Sequence, residues 1–146
     1  MIARLLAITV LAWCCTALGQ AASPVGLWQT VSDRSGQPDG LVRIVEADGE
    51  FTGTVTAVFS PPAKSANPLC ESCTGELKDK PVVGMVILRG VRRSGSGFSA
   101  GTILDPDDGR TYSCDLELAD AGRRLKVRGY LGLRLFGRTE EWTRKE

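Results

Sequence analysis

The chain has 146 residues, 18 Lys plus Arg against 17 Asp plus Glu, five cysteines, 17 glycines and no histidine. That length holds one hydrophobic core rather than two, and a net charge of +1 gives no electrostatic case for nucleic-acid binding, which runs on neutralised phosphates. The missing histidine removes Ser-His and Cys-His nucleophile pairs, imidazole metal sites and imidazole pH switches, each of which needs a group titrating near neutrality.

At the N-terminus, Arg4 gives a positive start to an uncharged apolar run over residues 5–18, with small residues at Ala17, Gly19, Ala21 and Ala22. This pattern reads as a secretory signal peptide over 1–22, cleaved within 19–23, ahead of a single domain over 23–146. The run is shorter than the roughly 20 residues of a membrane helix. Cys14 follows Leu11 at lipobox spacing, but Trp13 stands where that motif wants a small residue. Loss of the leader removes Arg4, Cys14 and Cys15, leaving balanced charge and Cys70, Cys73 and Cys114. No second apolar run suggests a transmembrane segment, so the expected product is periplasmic or secreted, in an oxidising compartment.

Beyond the leader, apolar and polar residues alternate with period two, the signature of half-buried strands. Strands are expected over Gly26–Val31 and 41–47, then from Phe51 through Gly53, Val55 and Ala57 to Phe59, with Thr52, Thr54 and Thr56 on the other face. Further strands follow at 82–91, where Gly84 and Gly90 allow the start to be a helical turn, and at 98–104. Tyr112, Cys114, Leu116 and Leu118 then oppose Ser113, Asp115 and Glu117, and Leu125, Val127 and Gly129 oppose Arg124, Lys126, Arg128 and Tyr130. A last strand is expected at 139–144. Asp48-Gly49, Pro106-Asp107-Asp108-Gly109 and residues 119–122 supply tight turns. The expected fold is all-β: an antiparallel up-and-down meander of about eight strands that closes into a small barrel, which removes its edges; a two-sheet sandwich is the alternative.

Gly26-Leu27-Trp28 opens the first strand and Trp142 sits in the last among Arg138, Glu140 and Arg144. In a closed meander these strands are neighbours, where an indole and a guanidinium can stack. The Gly-x-Trp opening resembles that of lipocalin-type barrels, the calycins. Trp28 and Trp142 are thus candidates for barrel closure or ligand contact, and Tyr112, Arg128, Tyr130 and Arg138 are polar candidates beside them.

Residues 60–80 interrupt the meander with Pro61-Pro62, Pro68 and Cys70-Glu71-Ser72-Cys73. A patternless stretch of this length in a small domain is functional or disordered, and on a barrel it suggests a lid. The Cys-x-x-Cys motif has three readings. A thioredoxin-like dithiol needs a helix N-terminus that nothing here supplies. Zinc wants four ligands and would have to recruit a carboxylate such as Glu71. A structural disulfide between Cys70 and Cys73 fits the secreted context, with Cys114 a small buried hydrophobe; a bridge from Cys114 to a loop cysteine competes with it. Asp105-Pro106-Asp107-Asp108-Gly109 fails the spacing of a calcium loop and reads as a turn. Neither metal nor cofactor is expected.

Residues 119–146 carry eight Lys or Arg against four acids. Arg124, Lys126 and Arg128 alternate on one strand face, either as a solvated face that guards a strand or as a contact for an anionic envelope partner. From Val25 onward the chain resembles a bacterial family, domain of unknown function 2147. The likeness rests on Gly26-Leu27-Trp28, Cys70-Glu71-Ser72-Cys73, Lys80-Pro81-Val82-Val83-Gly84, the stretch from Gly101-Thr102-Ile103 through Asp105-Pro106 to Gly109 and Tyr112, Leu125 to Gly132, and Gly137-Arg138-Thr139-Glu140-Glu141-Trp142. The resemblance implies a small exported single-domain protein and supplies no catalytic residues. The expected function is a non-catalytic binding module for a small apolar or amphiphilic molecule. The alternative is a solid-core envelope scaffold acting through the basic face.

Overall fold

Alternation along the sequence becomes eight antiparallel strands: β1 (Gly26–Val31), β2 (Pro38–Ala47), β3 (Glu50–Val58), β4 (Val86–Ser94), β5 (Gly97–Asp105), β6 (Arg110–Ala119), β7 (Arg124–Tyr130) and β8 (Arg138–Arg144). Each pairs with the next, and β1 pairs with β8, so the meander is a closed barrel and not a sandwich. The computed structural model describes residues 22–146 apart from 33, 60–64 and 66, so the leader read over 1–22 lies, except for Ala22, outside the described residues.

Two strand starts differ from the expected ones by three residues or more. β2 begins at Pro38, which takes the first position of the strand, where a missing N–H is tolerated. β4 begins at Val86 because Val82 to Gly84 turn back on themselves: the Met85 N–H donates to Val82 O at 3.0 Å, and Gly84 adopts φ +92°, open to a residue without a Cβ.

Because hairpins alternate between the two ends, both chain termini meet at one of them. There the barrel is plugged. Trp28, Ile44, Phe51, Val91, Phe98, Leu116 and Leu125 are buried inside it, and Phe51 meets Phe98 edge to face with ring centroids 5.0 Å apart.

Closure itself is thin. β1 and β8 share two register pairs, Trp28 with Arg144 and Gln29 with Thr143, against eight between β2 and β3. Backbone bonds past the end of β8, from Lys145 N–H to Leu27 O at 2.8 Å and from Leu27 N–H to Glu146 O at 3.3 Å, extend the seam, and side chains add to it. The Arg144 guanidinium lies 4.2 Å from the centre of the Trp28 ring. It donates to Gly122 O at 2.6 Å, Val25 O at 2.7 Å and Ser23 O at 2.8 Å. The Trp28 indole N–H donates to Pro24 O at 2.7 Å. One arginine thus ties β8, the β6–β7 turn and the segment leading into β1 to a single indole. Stacking of indole and guanidinium is as expected; the partner is Arg144, with Arg138 at the other end of β8.

Cys70 and Cys73 form a disulfide, with Cα atoms 5.3 Å apart, and Cys114 is a free, fully buried thiol of the core. Burial, followed by the carboxylates of Asp115 and Glu140, pushes the Cys114 thiol up to about 12.

Replacing Arg144 by Ala is expected to lower the unfolding free energy by about 2–3 kcal/mol, through loss of the cation–π contact and of donors to three carbonyls. Arg144→Lys, which keeps the charge but not the fork, should fall between the two in urea unfolding. An alanine variant as stable as the parent would show that the seal does not depend on Arg144. For the cysteines of the chain from residue 23 onward, iodoacetamide at pH 8 should label none in the folded protein without reductant, and one, Cys114, after unfolding. Rapid labelling of the folded state would contradict the burial that raises that thiol.

Candidate functional site

Away from the plugged end, four connections surround a mouth: residues 32–37, 59–85, 106–109 and 131–137. A cavity of about 920 Å³ opens there. Its floor is apolar, formed by Val42, Val55, Val127 and Trp142, and its upper wall and rim carry Asp39, Tyr112, Arg138 and Glu140. The barrel is therefore filled at one end and open at the other.

Period-two geometry on β8 explains how one strand serves both ends. Arg138, Glu140, Trp142 and Arg144 share a face, so the same strand delivers the rim arginine, an interior carboxylate, the floor indole and the sealing guanidinium. The Trp142 indole N–H donates to Glu140 Oε2 at 3.0 Å, which orients the carboxylate beside the floor. Thr30 donates its hydroxyl to Asp39 across β1 and β2. At the β5–β6 turn, Tyr112 donates its phenol to Asp108. Partial burial works against ionisation of Asp108, but this bond and the Arg110 N–H hold its carboxyl below the usual range. The Tyr112 phenol is raised in turn by its bond to Asp108 and then by burial. Burial raises Asp105, whose carboxylate accepts from the Asp107 N–H at 2.9 Å.

The described part of the long connection after β3 is more ordered than a patternless lid, while Pro61-Pro62 lie outside the described residues. Its described part forms a small hairpin, in which the Cys70 N–H donates to Lys80 O at 2.8 Å and the Val82 N–H donates to Pro68 O at 2.9 Å. Cys70, Cys73, Val82 and Met85 are buried with the core, and Pro68, Leu69 and Val82 line the cavity. The disulfide turn rests on the β5–β6 turn: Ser72 donates to Asp107 O at 3.0 Å. Gly109, at φ +72°, approaches so closely that a Cβ would fall 1.9 Å from Ser72 O. This segment is a fixed wall because backbone pairing and the disulfide use groups that a free lid would leave to water.

The candidates read from the sequence divide between sites. Trp142, Tyr112 and Arg138 come together at the cavity. Trp28 does not; it closes the opposite end. Arg128 and Tyr130 lie on the outer face of β7, beneath the connection 131–137. Arg128 donates from Nε and Nη2 to Arg134 O at 3.1 and 2.7 Å and from Nη1 to Thr139 Oγ1 at 3.0 Å. Tyr130 lines a side recess of about 470 Å³ with Leu131, Phe136 and Arg138. The other two cations of the proposed basic face have acidic neighbours, Arg124 with Glu141 at 2.9 Å and Lys126 with Glu117 at 3.9 Å.

Two residues that shape this end were not singled out from the sequence. Glu140 was readable, being two positions before Trp142 in an alternating strand. Asp115 was not. It occupies a polar, outward position on β6, yet its side chain is only 8% exposed because the 131–137 connection covers it and brings Arg134 Nε to 2.6 Å. Among the described residues, no cluster of three or more His, Cys, Asp or Glu could hold a metal ion, and no helix is long and apolar enough to cross a membrane.

No curated protein matches this chain. Among solved structures, one from the human pathogen Helicobacter pylori, described as belonging to the lipocalin family, superposes with a TM-score of 0.72 at 20% identity. The match covers 86% of this chain and 84% of that one, and at this identity the likeness is one of fold: a lipocalin-like eight-stranded barrel. Residues 26–144 match the family described as uncharacterized proteins conserved in bacteria, DUF2147, so the chain belongs to that family.

Proposed function

We propose that this protein is an exported, periplasmic binding module, without catalytic activity, for a small apolar or amphiphilic molecule. The cavity carries this reading: about 920 Å³, with an apolar floor beneath a polar upper wall and rim, within the roughly 300–1,000 Å³ of small-molecule sites. An apolar tail placed against Val55, Val127 and Trp142 leaves a polar head level with Tyr112, Arg138 and Glu140. Burial of the tail supplies affinity at about 25 cal/mol per Å² of apolar surface, and the rim sets orientation.

Binding rather than catalysis is favoured by the state of the reactive groups. The Cys114 thiol, pushed up to about 12, stays protonated at neutral pH, and the Asp108 carboxylate is engaged by Tyr112. Export is supported by the charged start, apolar run and small residues of the first 22 positions, and by a disulfide suited to an oxidising compartment.

Gly129 provides the test. It lines the cavity, and a Cβ there would meet Tyr112 Cβ at 3.5 Å and Ile103 Cγ2 at 3.7 Å, ordinary contact distances. Gly129→Leu should therefore fill the cavity while keeping the fold. The parent is expected to bind a fluorescent long-chain fatty-acid analogue, and the variant to bind it at least tenfold more weakly with an unchanged circular dichroism spectrum. A parent that neither binds the analogue nor carries extra mass in native mass spectrometry after purification from its own cells would refute the reading. Export is checked separately: the protein should appear in the osmotic-shock fraction with its N-terminus within residues 20–23.

A further inference from the structure

Exposed apolar side chains are not scattered over this barrel. Among the described residues, the large ones are Val25, Val45, Phe59, Leu69, Leu131, Leu133, Leu135 and Phe136. All but Val25 and Val45 lie at the mouth, and four fall in the single connection 131–137, where they are 55% to 80% exposed. Isolated exposed leucines need no explanation, whereas a cluster of this kind marks a contact surface.

The connection is built to present them. An ordinary surface loop turns its leucines inward; here they face solvent. Arg134 brings Nε to 2.6 Å from the buried Asp115 carboxylate while most of its side chain stays exposed. Arg128 holds the backbone from the same side through Arg134 O and Leu135 O. A 3-10 turn over Arg134–Phe136 fixes what remains. Tied down by these contacts, the loop leaves Leu133, Leu135 and Phe136 facing solvent as a preorganised tip.

We propose that this tip docks the mouth of the barrel onto a lipid bilayer surface; the inference deepens the amphiphile-binding reading and, as a route for its ligand, rests on it. Three observations select a bilayer over a protein partner. A seven-residue tip is small beside the roughly 800 Å² per side of a stable protein interface, but suits shallow insertion at the level of the lipid headgroups. Around the tip, Arg128, Arg134 and Arg138 outnumber the two neighbouring carboxylates, Asp115 under the loop and Asp108 in the adjoining recess, and the Arg134 side chain stays 67% exposed. Such cations flanking apolar side chains suit anionic headgroups. The tip is also continuous with the binding site, since Leu131 and Phe136 share a recess with Tyr112, Gly129 and Arg138, which also line the cavity. A lipid-like molecule leaving the bilayer at the tip would meet the mouth without crossing open water.

The test is flotation with vesicles of phosphatidylethanolamine and phosphatidylglycerol, using the protein as isolated from its cells and a Leu135→Ser, Phe136→Ser double variant with the same N-terminus. The parent should float with the vesicles and the variant at least tenfold less, while both bind the fatty-acid analogue in solution equally and share one circular dichroism spectrum. Equal flotation of the two proteins, or a parent that does not float, would overturn the proposal. So would a parent dimer that the double substitution dissociates without affecting flotation, which would make the tip a self-association surface. Flotation lost in the variant of a parent that binds no analogue would uphold docking and sink the binding reading instead, so the two fail separately.

Discussion

The barrel depends on how its first strand meets its last. An eight-stranded meander gains its final ladder only if β1 and β8 come together, and here that ladder has two register pairs. Arg144 strengthens that seam because a planar guanidinium can stack on the Trp28 indole and donate in its own plane to three carbonyls in two segments, the β6–β7 turn and the stretch before β1. A lysine has the charge but neither the plane nor the fork. Closing at this point also places both termini at one end of the barrel, where they plug it, and leaves the opposite end to the longer connections.

That asymmetry is the basis of the candidate site. The plugged end holds the bulky residues Trp28, Phe51 and Phe98, which interdigitate as in any protein interior. Toward the mouth the inward positions are taken by smaller or polar residues, Gly40, Val55, Tyr112, Gly129 and Glu140, and side chains no longer fill the lumen. An eight-stranded barrel is just wide enough to be filled by side chains or to hold one small ligand. Side-chain volume, and not strand number, decides between the two along this one barrel.

The connections at the mouth are held by buried polar contacts and by a disulfide, not by the ladder. Asp115 is the clearest case. A carboxylate this buried is tolerated only when paired, and the pairing with Arg134 draws the 131–137 connection down onto the outer face of β6 and β7. On the neighbouring side, the Cys70–Cys73 turn rests on Gly109. The rim is thereby fixed around the cavity by interactions whose sequence separations run from about twenty to forty residues.

Strand count, antiparallel order and closure were legible because period-two alternation and Asp-Gly or Pro-Asp turns are local signals. The same alternation put Cys114 in the core, while Trp28 and Trp142 both read as closure or ligand-contact residues. What sequence alone could not settle was which end of the barrel each inward residue occupies, since alternation assigns a face but not a depth. Trp28 and Trp142 therefore looked equivalent, yet one seals the plugged end and the other floors the cavity. Nor could it show that Asp115 would be covered, that the cations at Arg124, Lys126 and Arg128 would find acceptors, or that the loop after β3 would form a fixed hairpin. Each of these depends on contacts between segments distant in the chain, and only the closed barrel brings those segments together.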